Sequence, residues 1–558
     1  MLRTHLTVLE TSASRYPLSP VFKLPRSDSQ SSHGQDWYSI TYRQFYMDVE
    51  LFARHWSRTL AESKVALGSV VGLWIGGYTY NDVLNIYGMS RAGFVPQLFS
   101  LRLPSAEVIF ELLHKANAKA LVYESDFAPV LRECPVPAYL ARSIEDIDID
   151  VTGYPLPELR PAQPEDIAFF FHTSGSSGGS PKLVPCSHRW LDATVMKSNH
   201  TCLPQNPERQ DVTVWMGSMC HIGQTFSALG FYSPFGFLKL TLIIFFLKVL
   251  IGSLQHGSCV IQPTQISFSS EELVAMVIRC GLNRLNQFAA FLCNHLRASR
   301  LDPKLLSLLT SFDEVLYSGM PLAREEEEWA LCNGIKLRNL FGSTEAGATL
   351  LSVGGTEGNA TLLQPIPGTA YSFMPIGGEA DAAAAATHQS TARMLEFVIL
   401  AESGDCPHSS LRAADGHFHT GDLFQEVAPG QYVSRGRDDD WIKSENSLRC
   451  DTKSIEDHTR MMCGSLIGEC IVVGSGRPSP VLFVEPNTDM DVEKLKKEII
   501  RKTRQFHSRR YLHERISATN RIVIVPPKTL PRTLTKGNIR RKAVEEAYKS
   551  LLDEIYAS

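Results

Sequence analysis

Residues suited to binding phosphate are concentrated in one short stretch of the chain. The stretch is Thr173-Ser174-Gly175-Ser176-Ser177-Gly178-Gly179-Ser180-Pro181-Lys182. Its glycines allow several backbone N–H groups to turn toward one point, its Ser and Thr hydroxyls are short donors, and Lys182 adds a cation. A chain of phosphates is the ligand that such a set of donors fits. The sequence therefore predicts a phosphate-binding loop that uses Thr173 to Gly178 and Lys182.

Three motifs and a plain structural loop compete as interpretations of this stretch. A Walker-type loop requires Ser or Thr directly after its lysine, whereas Leu183 follows here. A nucleophile elbow is formally satisfied with Ser177 as the nucleophile, but the elbow must continue as a helix, and Pro181 follows closely. The stretch most closely resembles the phosphate loop of adenylate-forming enzymes: Thr-Ser-Gly-Ser/Thr-Ser/Thr-Gly, a variable residue and Pro-Lys. This chain has one extra residue before its Pro-Lys pair.

A second group of polar residues lies on a glycine turn further along the chain. The segment is Asn339-Leu340-Phe341-Gly342-Ser343-Thr344-Glu345-Ala346-Gly347. The turn would present the Thr344 hydroxyl beside the Glu345 carboxylate, which suits an α-phosphate oxygen and the magnesium ion that shields it. The same pair is also compatible with a helix cap. Further on, Asp422 closes a predicted strand and is suited to accept both hydroxyls of a ribose.

The elements that must position these groups alternate between strands and helices. A buried apolar strand is predicted at 167–171, directly before the glycine loop, and others at 70–75, 118–123 and 211–216. A helix is predicted over 82–91. Strand, helix and strand in succession indicate parallel sheets covered by helices, and hence an α/β fold.

Length and composition describe an ordinary soluble protein. The 558 residues exceed what one core holds, so two or more domains are expected. Hydrophobic residues make up 44%, charged residues make up 20%, and the formal net charge is −4, which disfavours disorder and nucleic-acid binding. The cysteines form no C-x-x-C pair, and the start of the chain lacks the apolar core of a signal peptide. We therefore expect reduced thiols and a cytoplasmic location.

The most apolar run of the chain, residues 231–251, approaches the length of a membrane helix. Lys239 and Lys248 interrupt it, and each would be costly within the hydrocarbon. No stable membrane insertion is expected. The run is interpreted as a buried core element or as additional sequence, which would be either a true insertion or an unremoved intron in the gene model.

These motifs occur in the order found in adenylate-forming (AMP-binding) enzymes, and the chain resembles the acyl- and aryl-CoA synthetases and the fungal synthetase-like adenylation domains. The further nucleotide contacts implied by the resemblance are Gly319, Met320, Asn339, Phe341, Gly342, Ser343, Asp422 and Arg437. Of these, Gly319 and Met320 belong to the element that would contact adenine, Asp422 would bind ribose, and Arg437 ribose or phosphate. Thr344 and Glu345 would contact the α-phosphate and the metal. Lys536 would be the catalytic lysine that reaches the carboxylate and the α-phosphate.

Three further residues are interpreted from the same resemblance. His221, after the 211–216 strand, would by itself be a satisfied core histidine, but related enzymes for acids without an α-amino group often carry an aromatic residue or His here. No amine-binding Asp stands nearby, so such an acid is favoured, with His221 in the active site. Asp439 falls at the hinge, and Asn446 replaces the usual Gly, which puts the second half-reaction in doubt. The acyl pocket is expected among 215–223, 286–291 and 317–320.

The sequence thus predicts a large AMP-binding domain over 1–436, with mixed or parallel sheets and an insertion at about 231–251, and a small mobile α+β domain over 437–558. The predicted function is ATP- and Mg²⁺-dependent activation of a small carboxylic acid as an acyl adenylate, with release of pyrophosphate. The acyl group would then pass to the thiol of coenzyme A or of a carrier protein's phosphopantetheine. Because little sequence follows Lys536, the thiol is expected on a separate molecule. A catalytically weak nucleotide-binding relative and a serine hydrolase using Ser177 remain alternatives.

Overall fold

The computed structural model of the protein describes residues 2–26, 36–99, 105–158, 161–173, 182–220, 245–376, 394–438, 441–443, 449–508, 514–532 and 539–557. The helices are α1 (His5–Arg15), α2 (Tyr42–Glu62), α3 (Tyr80–Arg91), α4 (Ala106–Lys115), α5 (His188–Thr201), α6 (Phe245–Gln255), α7 (Ser270–Cys280), α8 (Ala289–Ser299), α9 (Pro303–Ser311), α10 (Arg324–Cys332), α11 (Thr452–Cys463), α12 (Val492–Ser508), α13 (Arg541–Ala547) and α14 (Lys549–Ala557). The strands are β1 (Pro20–Pro25), β2 (Trp37–Thr41), β3 (Val70–Trp74), β4 (Val95–Phe99), β5 (Ala120–Tyr123), β6 (Ala138–Leu140), β7 (Ile167–Thr173), β8 (Lys182–Ser187), β9 (Val212–Val214), β10 (Cys259–Ile261), β11 (Arg284–Phe288), β12 (Glu314–Ser318), β13 (Leu337–Ser343), β14 (Gly347–Ser352), β15 (Leu363–Pro365), β16 (Tyr371–Pro375), β17 (Met394–Ile399), β18 (Phe418–Ala428), β19 (Gln431–Arg437), β20 (Trp441–Lys443), β21 (Arg449–Asp451), β22 (Ile467–Val473), β23 (Val481–Pro486) and β24 (Ile522–Ile524).

The strand that leads to the glycine loop belongs to a six-stranded sheet with the order β6-β5-β3-β4-β7-β8. The first five of these strands run parallel, and β8 returns antiparallel to β7. Helices α2 and α3 pack against each other near this sheet. The Thr41 hydroxyl caps α2 by accepting from the Gln44 N–H at 3.2 Å. One stripe of α2 is fully or almost fully buried at helical spacing: Phe45, Val49, Phe52, Trp56 and Leu60.

Two further sheets complete the large part of the chain. One has four strands in the order β2-β1-β10-β9, and the other has nine in the order β11-β12-β13-β14-β15-β19-β18-β17-β16. In the nine-stranded sheet β11, β12 and β13 run parallel, and the other pairings are antiparallel. The predicted α/β fold with mixed sheets covered by helices is confirmed.

Helix α6 includes the described part of the apolar run at 231–251. Its Leu250, Ile251 and Leu254 are fully buried in the largest apolar cluster. Residues 231–244 lie outside the described residues. Across the described ranges, no helix is both long and apolar enough to cross a membrane. All twelve cysteines lie in these ranges, and each is a free thiol.

The chain after β19 forms a separate small α+β unit. A three-stranded sheet with the order β22-β23-β24 carries one apolar cluster with α11 and α12 and a second with α13 and α14. Arg437, the last residue of β19, still pairs with β18 in the nine-stranded sheet. Just beyond it, the Trp441 indole N–H donates to the Arg435 carbonyl at 3.3 Å. The predicted hinge, Asp439, lies outside the described residues.

A buried ion network joins the amino ends of the parallel strands of the nine-stranded sheet. Arg284 lies 2.5 Å from Glu314 and 3.4 Å from Asp211, and it also donates to the Thr201 carbonyl at 2.8 Å. Arg338 donates to the other oxygen of Glu314 at 2.8 Å. Burial opposes ionisation of Glu314, but the two arginines outweigh it and hold the pKa of Glu314 below its ordinary value.

Replacing Arg284 by Met should therefore destabilise the protein by about 3–5 kcal/mol, because two carboxylates lose a buried counter-charge. Urea unfolding midpoints measure the loss. Arg209→Met is the control, since Arg209 is half exposed and its pair with Asp313 at 2.6 Å should contribute less than about 1 kcal/mol. Equal effects of the two substitutions would contradict a structural role for the network.

Candidate active site

The glycine loop connects two antiparallel strands. Thr173, the last residue of β7, pairs with Lys182, the first residue of β8. The predicted phosphate contacts between them, Ser174, Gly175, Ser176, Ser177 and Gly178, lie outside the described residues. The described element that follows the loop is a strand, and a nucleophile elbow requires a helix at that place.

A buried histidine fixes the end of β7. His172 donates from Nδ1 to the Leu98 carbonyl at 2.9 Å, so its Nε2 accepts from the Gln97 amide at 3.1 Å. Its ring stacks on Phe99, with the ring centroids 4.7 Å apart. Burial lowers the pKa of His172 to about 4, so the ring is neutral near pH 7 and keeps this tautomer. The strand end at Thr173 is therefore anchored to the neighbouring strand β4.

The Thr344–Glu345 pair lies on the turn between β13 and β14. These strands are antiparallel, and Ser343 pairs with Gly347. The Ser343 hydroxyl accepts from the Ala346 N–H at 3.2 Å. A side chain on Gly342 would collide with the Gly347 carbonyl, so the close approach of the strands requires glycine at 342. The alternative of a helix cap is wrong, because the turn is followed by a strand.

The main chain of this turn is held, whereas the two side chains that are predicted to bind ligand are available. The Trp190 indole N–H donates to the Glu345 carbonyl at 2.9 Å, and the Lys197 ammonium donates to the Ala346 carbonyl at 2.9 Å. Among the described residues, nothing forms a hydrogen bond or ion pair with the Thr344 hydroxyl or the Glu345 carboxylate. An unpaired carboxylate beside a hydroxyl fits a divalent cation and a phosphate oxygen.

Asp422 and Arg437 form a second group close to this turn. They pair across β18 and β19, and Arg437 Nη1 donates to Asp422 Oδ1 at 3.3 Å. Phe424, two residues after Asp422, contacts Phe341 of β13 edge to face, with the ring centroids 5.0 Å apart. Through this contact the pair lies beside the strand that leads into the Thr344–Glu345 turn.

A carboxylate and a histidine set the backbone just before Asp422. Glu396 accepts from the Gly421 N–H at 3.2 Å and from His419 Nδ1 at 3.0 Å. When His419 is protonated, its Nε2 also donates to Asp415 at 2.9 Å, and the hydrogen bonds that Asp415 and Glu396 accept raise the pKa of His419. Gly421 has φ of +68°, which favours glycine, so its orientation depends on these contacts.

The predicted adenine contacts follow β12, which runs parallel to β13. Gly319 has φ of +90°, a left-handed conformation that suits glycine. Met320 is half-buried and packs against the apolar cluster that contains Phe288. The Asn339 amide donates to the Thr361 carbonyl at 3.3 Å, so part of its hydrogen-bonding capacity is used within the fold.

The segment that leads toward His221 is fixed against the six-stranded sheet. The Met219 N–H donates to the Gly77 carbonyl at 2.7 Å, and the Ser218 hydroxyl donates to the Gly76 carbonyl. A Cβ on Gly77 would lie 2.6 Å from the backbone nitrogen of Cys220. The ends of β3 and β9 therefore meet at a contact that requires glycine. His221 itself lies outside the described residues, as do Asp439, Asn446 and Lys536.

The sequence profile of the AMP-binding enzyme family matches residues 9–372, and that of the AMP-binding enzyme C-terminal domain matches residues 439–558. The AMP-binding domain-containing enzyme iboA of Amanita muscaria is 33% identical over 540 residues, which cover 95% of this chain and 98% of the relative. The chain belongs to the AMP-binding enzyme family.

Solved structures of adenylate-forming ligases share the fold of this AMP-binding enzyme. O-succinylbenzoate coenzyme A synthetase (MenE) from Bacillus subtilis, in complex with the acyl-adenylate intermediate OSB-AMP, has a TM-score of 0.69 at 15% identity and covers 97% of this chain and 98% of its own. ATP-bound MatB from Rhodopseudomonas palustris has a TM-score of 0.68 at 14% identity, and the alignment covers 99% and 100% of the two chains. At this identity the likeness concerns the fold.

Some residues that shape the site of this AMP-binding enzyme were not predicted. Trp190 and Lys197 support the Thr344–Glu345 turn, and Glu396 supports Gly421. The spacing of Trp190 and Lys197 places them on one helix face, which is a visible signal. The sequence does not show which part of the fold this helix face contacts, because that depends on tertiary structure. A lysine within a helix is also ordinarily expected to be solvated, so Lys197 would not be singled out.

Gly342→Ala should destabilise the AMP-binding domain by about 1–3 kcal/mol, because the added methyl group forces β13 and β14 apart. We also expect weaker AMP binding, since the turn carries Thr344 and Glu345. Thermal unfolding and calorimetric titration with AMP measure the two effects. In the control Gly358→Ala, the added Cβ meets no atom within 4 Å. If Gly342→Ala matched this control in both measurements, the close approach would have no role in the site.

Proposed function

We propose that this AMP-binding enzyme activates a carboxylic acid with ATP and transfers the acyl group to a thiol. The observation that carries the proposal is the Thr344–Glu345 turn, whose carbonyls are held while its hydroxyl and carboxylate stay available. Such a group binds charge that develops at a phosphate without first having to rearrange. The relatives support the same chemistry, since MenE was solved with an acyl adenylate and MatB with ATP.

The first step forms the acyl adenylate. A carboxylate oxygen of the acid bonds to the α-phosphorus of ATP, the bond to the β-phosphate oxygen breaks, and pyrophosphate leaves with the electron pair. The glycine loop would hold the departing phosphates, and Thr344 the α-phosphate. Glu345 would hold Mg²⁺, which when bound screens the phosphate charge. Asp422 would bind the ribose and Arg437 the ribose or a phosphate, and Lys536 would stabilise the charge that develops at the carboxylate and α-phosphate.

The second step transfers the acyl group. The sulfur of a deprotonated thiol bonds to the acyl carbon, and the bond to the AMP oxygen breaks. The thiol would belong to coenzyme A or to the phosphopantetheine of a separate carrier protein. Between the steps the small domain, 437–558, would rotate about Asp439 against the large domain, 1–436. Asn446 replaces a glycine in this hinge region, so the rate of the second step should depend on it.

Lys536→Ala should abolish acid-dependent pyrophosphate release and leave ATP affinity nearly unchanged, because the lysine acts on charge that develops during the reaction. A pyrophosphate-release assay and a nucleotide titration measure the two properties. Lys542→Ala removes an exposed lysine from the same terminal segment and serves as the control. Unchanged turnover in Lys536→Ala would remove this residue from the mechanism.

A screen of aryl, fatty, short-chain and keto acids tests the function as a whole. We expect pyrophosphate release with at least one class of acid that lacks an α-amino group. ATP binding without release for any acid would instead indicate a nucleotide-binding relative without catalysis. Labelling of Ser177 by a fluorophosphonate would indicate a hydrolase, and no helix follows its loop to support one.

The apolar cluster beside the turn is the proposed pocket for the acid. It contains Met216 of the segment after β9, Phe288, Leu316 and Leu340. Asn286 lies on the same face of β11 as Phe288, since the two are separated by one residue. Asn286 is only 6% exposed, and among the described residues no group accepts from or donates to its amide. We infer that the acid has an apolar body and one hydrogen-bonding group that this amide binds.

Asn286→Leu should therefore change which acids are activated. Between two acids of one skeleton that differ in a single hydroxyl or amide, the wild type should prefer the polar acid. The substitution should lower kcat/KM for the polar acid by about 10–100-fold and leave the apolar acid nearly unchanged. Phe288→Leu, which changes only apolar volume, should affect both acids alike. A wild-type preference for the apolar acid would contradict the inference.

A further inference from the structure

Helix α5 lies between the two parts of the site that are proposed to contact phosphate. It begins directly after β8, the strand that receives the glycine loop, and the Ser187 hydroxyl caps it by accepting from the Trp190 N–H at 3.3 Å. Trp190 and Lys197 are seven residues apart, so they lie on one face of the helix. From this face they donate to two successive carbonyls, of Glu345 and Ala346. One helix therefore connects the antiparallel strands β7 and β8, called the glycine hairpin below, to the Thr344–Glu345 turn.

The contact from Lys197 belongs to a buried ionic network. The side chains of Lys197 and Asp405 are 2% and 0% exposed, and the ammonium nitrogen lies 2.6 Å from Asp405 Oδ2. Tyr371 donates its hydroxyl to the same oxygen, and Ser403 donates to the other at 2.5 Å. Burial works against the charge of Asp405, but Lys197 and the hydroxyls of Ser403 and Tyr371 together outweigh it and hold the pKa of Asp405 below its ordinary value.

This network is difficult to explain by stability alone. A buried ion pair loses hydration, and apolar side chains of the same size often stabilise a core as well or better. The ammonium group of Lys197 contacts only Asp405 and the Ala346 carbonyl among the described residues, so it does not itself reach a substrate. An apolar side chain in place of Lys197 could not donate the hydrogen bond to the Ala346 carbonyl of the turn.

We infer that Trp190 and Lys197 are positioning residues that set the Thr344–Glu345 turn relative to the glycine hairpin. The inference rests on the proposed function of the turn in holding Mg²⁺ and the α-phosphate. The Trp190 indole N–H and the Lys197 ammonium fix the carbonyls of Glu345 and Ala346, at or next to the residue that is proposed to hold Mg²⁺. Loss of either donor should therefore let the turn move. Binding through Mg²⁺ should weaken, whereas binding through adenine and ribose, on β12 and β18, should not.

Trp190→Phe is the main test, because it keeps an aromatic ring and removes only the N–H donor. We expect the concentration of Mg²⁺ that gives half-maximal ATP binding to rise about 3–10-fold, with ATP affinity in EDTA unchanged. The matched control is Trp56→Phe, which removes an indole N–H of α2 that donates to the Asn85 side chain of α3 at 3.2 Å. Isothermal titration calorimetry measures the Mg²⁺ requirement and the ATP affinity in EDTA for both variants.

Lys197→Met tests the second donor, with its side-chain length retained. We expect a larger increase in the Mg²⁺ requirement than for Trp190→Phe, because Asp405 also loses its counter-charge. Its control, Lys23→Met, removes an ammonium that donates to the Cys280 carbonyl at 2.8 Å, away from the turn. If Lys197→Met does not fold, Trp190→Phe alone decides the question.

The positioning role of α5 and the proposed reaction are contradicted by different results. An unchanged Mg²⁺ requirement in Trp190→Phe, with the fold intact, would overturn the positioning role. Equal losses with and without Mg²⁺ would also overturn it, since they would indicate a general disturbance. Absence of pyrophosphate release by the wild type with every acid would overturn the proposed reaction, while the ATP titrations would still measure the effect of α5 on the turn.

Discussion

Two hydrogen bonds from α5 to the Glu345 and Ala346 carbonyls are the interaction on which the candidate site depends. They satisfy backbone acceptors at a tight turn, and they do so without using the Thr344 hydroxyl or the Glu345 carboxylate. A site of this kind has its main chain fixed by the fold and its reactive groups open to ligand. Preorganised groups stabilise developing charge because they need no reorganisation during the reaction.

The surrounding architecture brings ends of strands from three sheets toward one region. β7 ends at the glycine loop, β9 leads into a segment held by Gly76 and Gly77, and β13 ends at the Thr344–Glu345 turn. In open α/β sheets, ligands bind at the carboxyl ends of the strands. The antiparallel strands β18 and β19 add Asp422 and Arg437 from the side. On the proposed function, the groups that contact the nucleotide therefore come from more than one sheet.

The sequence predicted the local features better than the contacts between them. Motifs with glycine and polar residues predicted the loop, the turn and the Asp422 position, because each needs particular residue types at short spacing. The structure places Thr344 and Glu345 on a turn between two strands and Asp422 in β18, while their proposed roles stay predictions. The helix-cap alternative for Thr344 and Glu345 failed because pairing of β13 with β14 is a tertiary property. Lys197 and Asp405 are 208 residues apart in the chain. Nothing local to either residue distinguishes such a buried pair from two solvated charges.

The buried ion networks at the two ends of the nine-stranded sheet both terminate on α5. Arg284, at the amino ends of the strands, donates to the carbonyl of Thr201, the last residue of the helix, where a cation also interacts favourably with the helix dipole. Lys197 connects the middle of the helix to the turn. A helix held at both places should move with the glycine hairpin and the turn as one body. In the proposed mechanism, the small domain that carries Lys536 is then the part of the protein that moves between the two half-reactions.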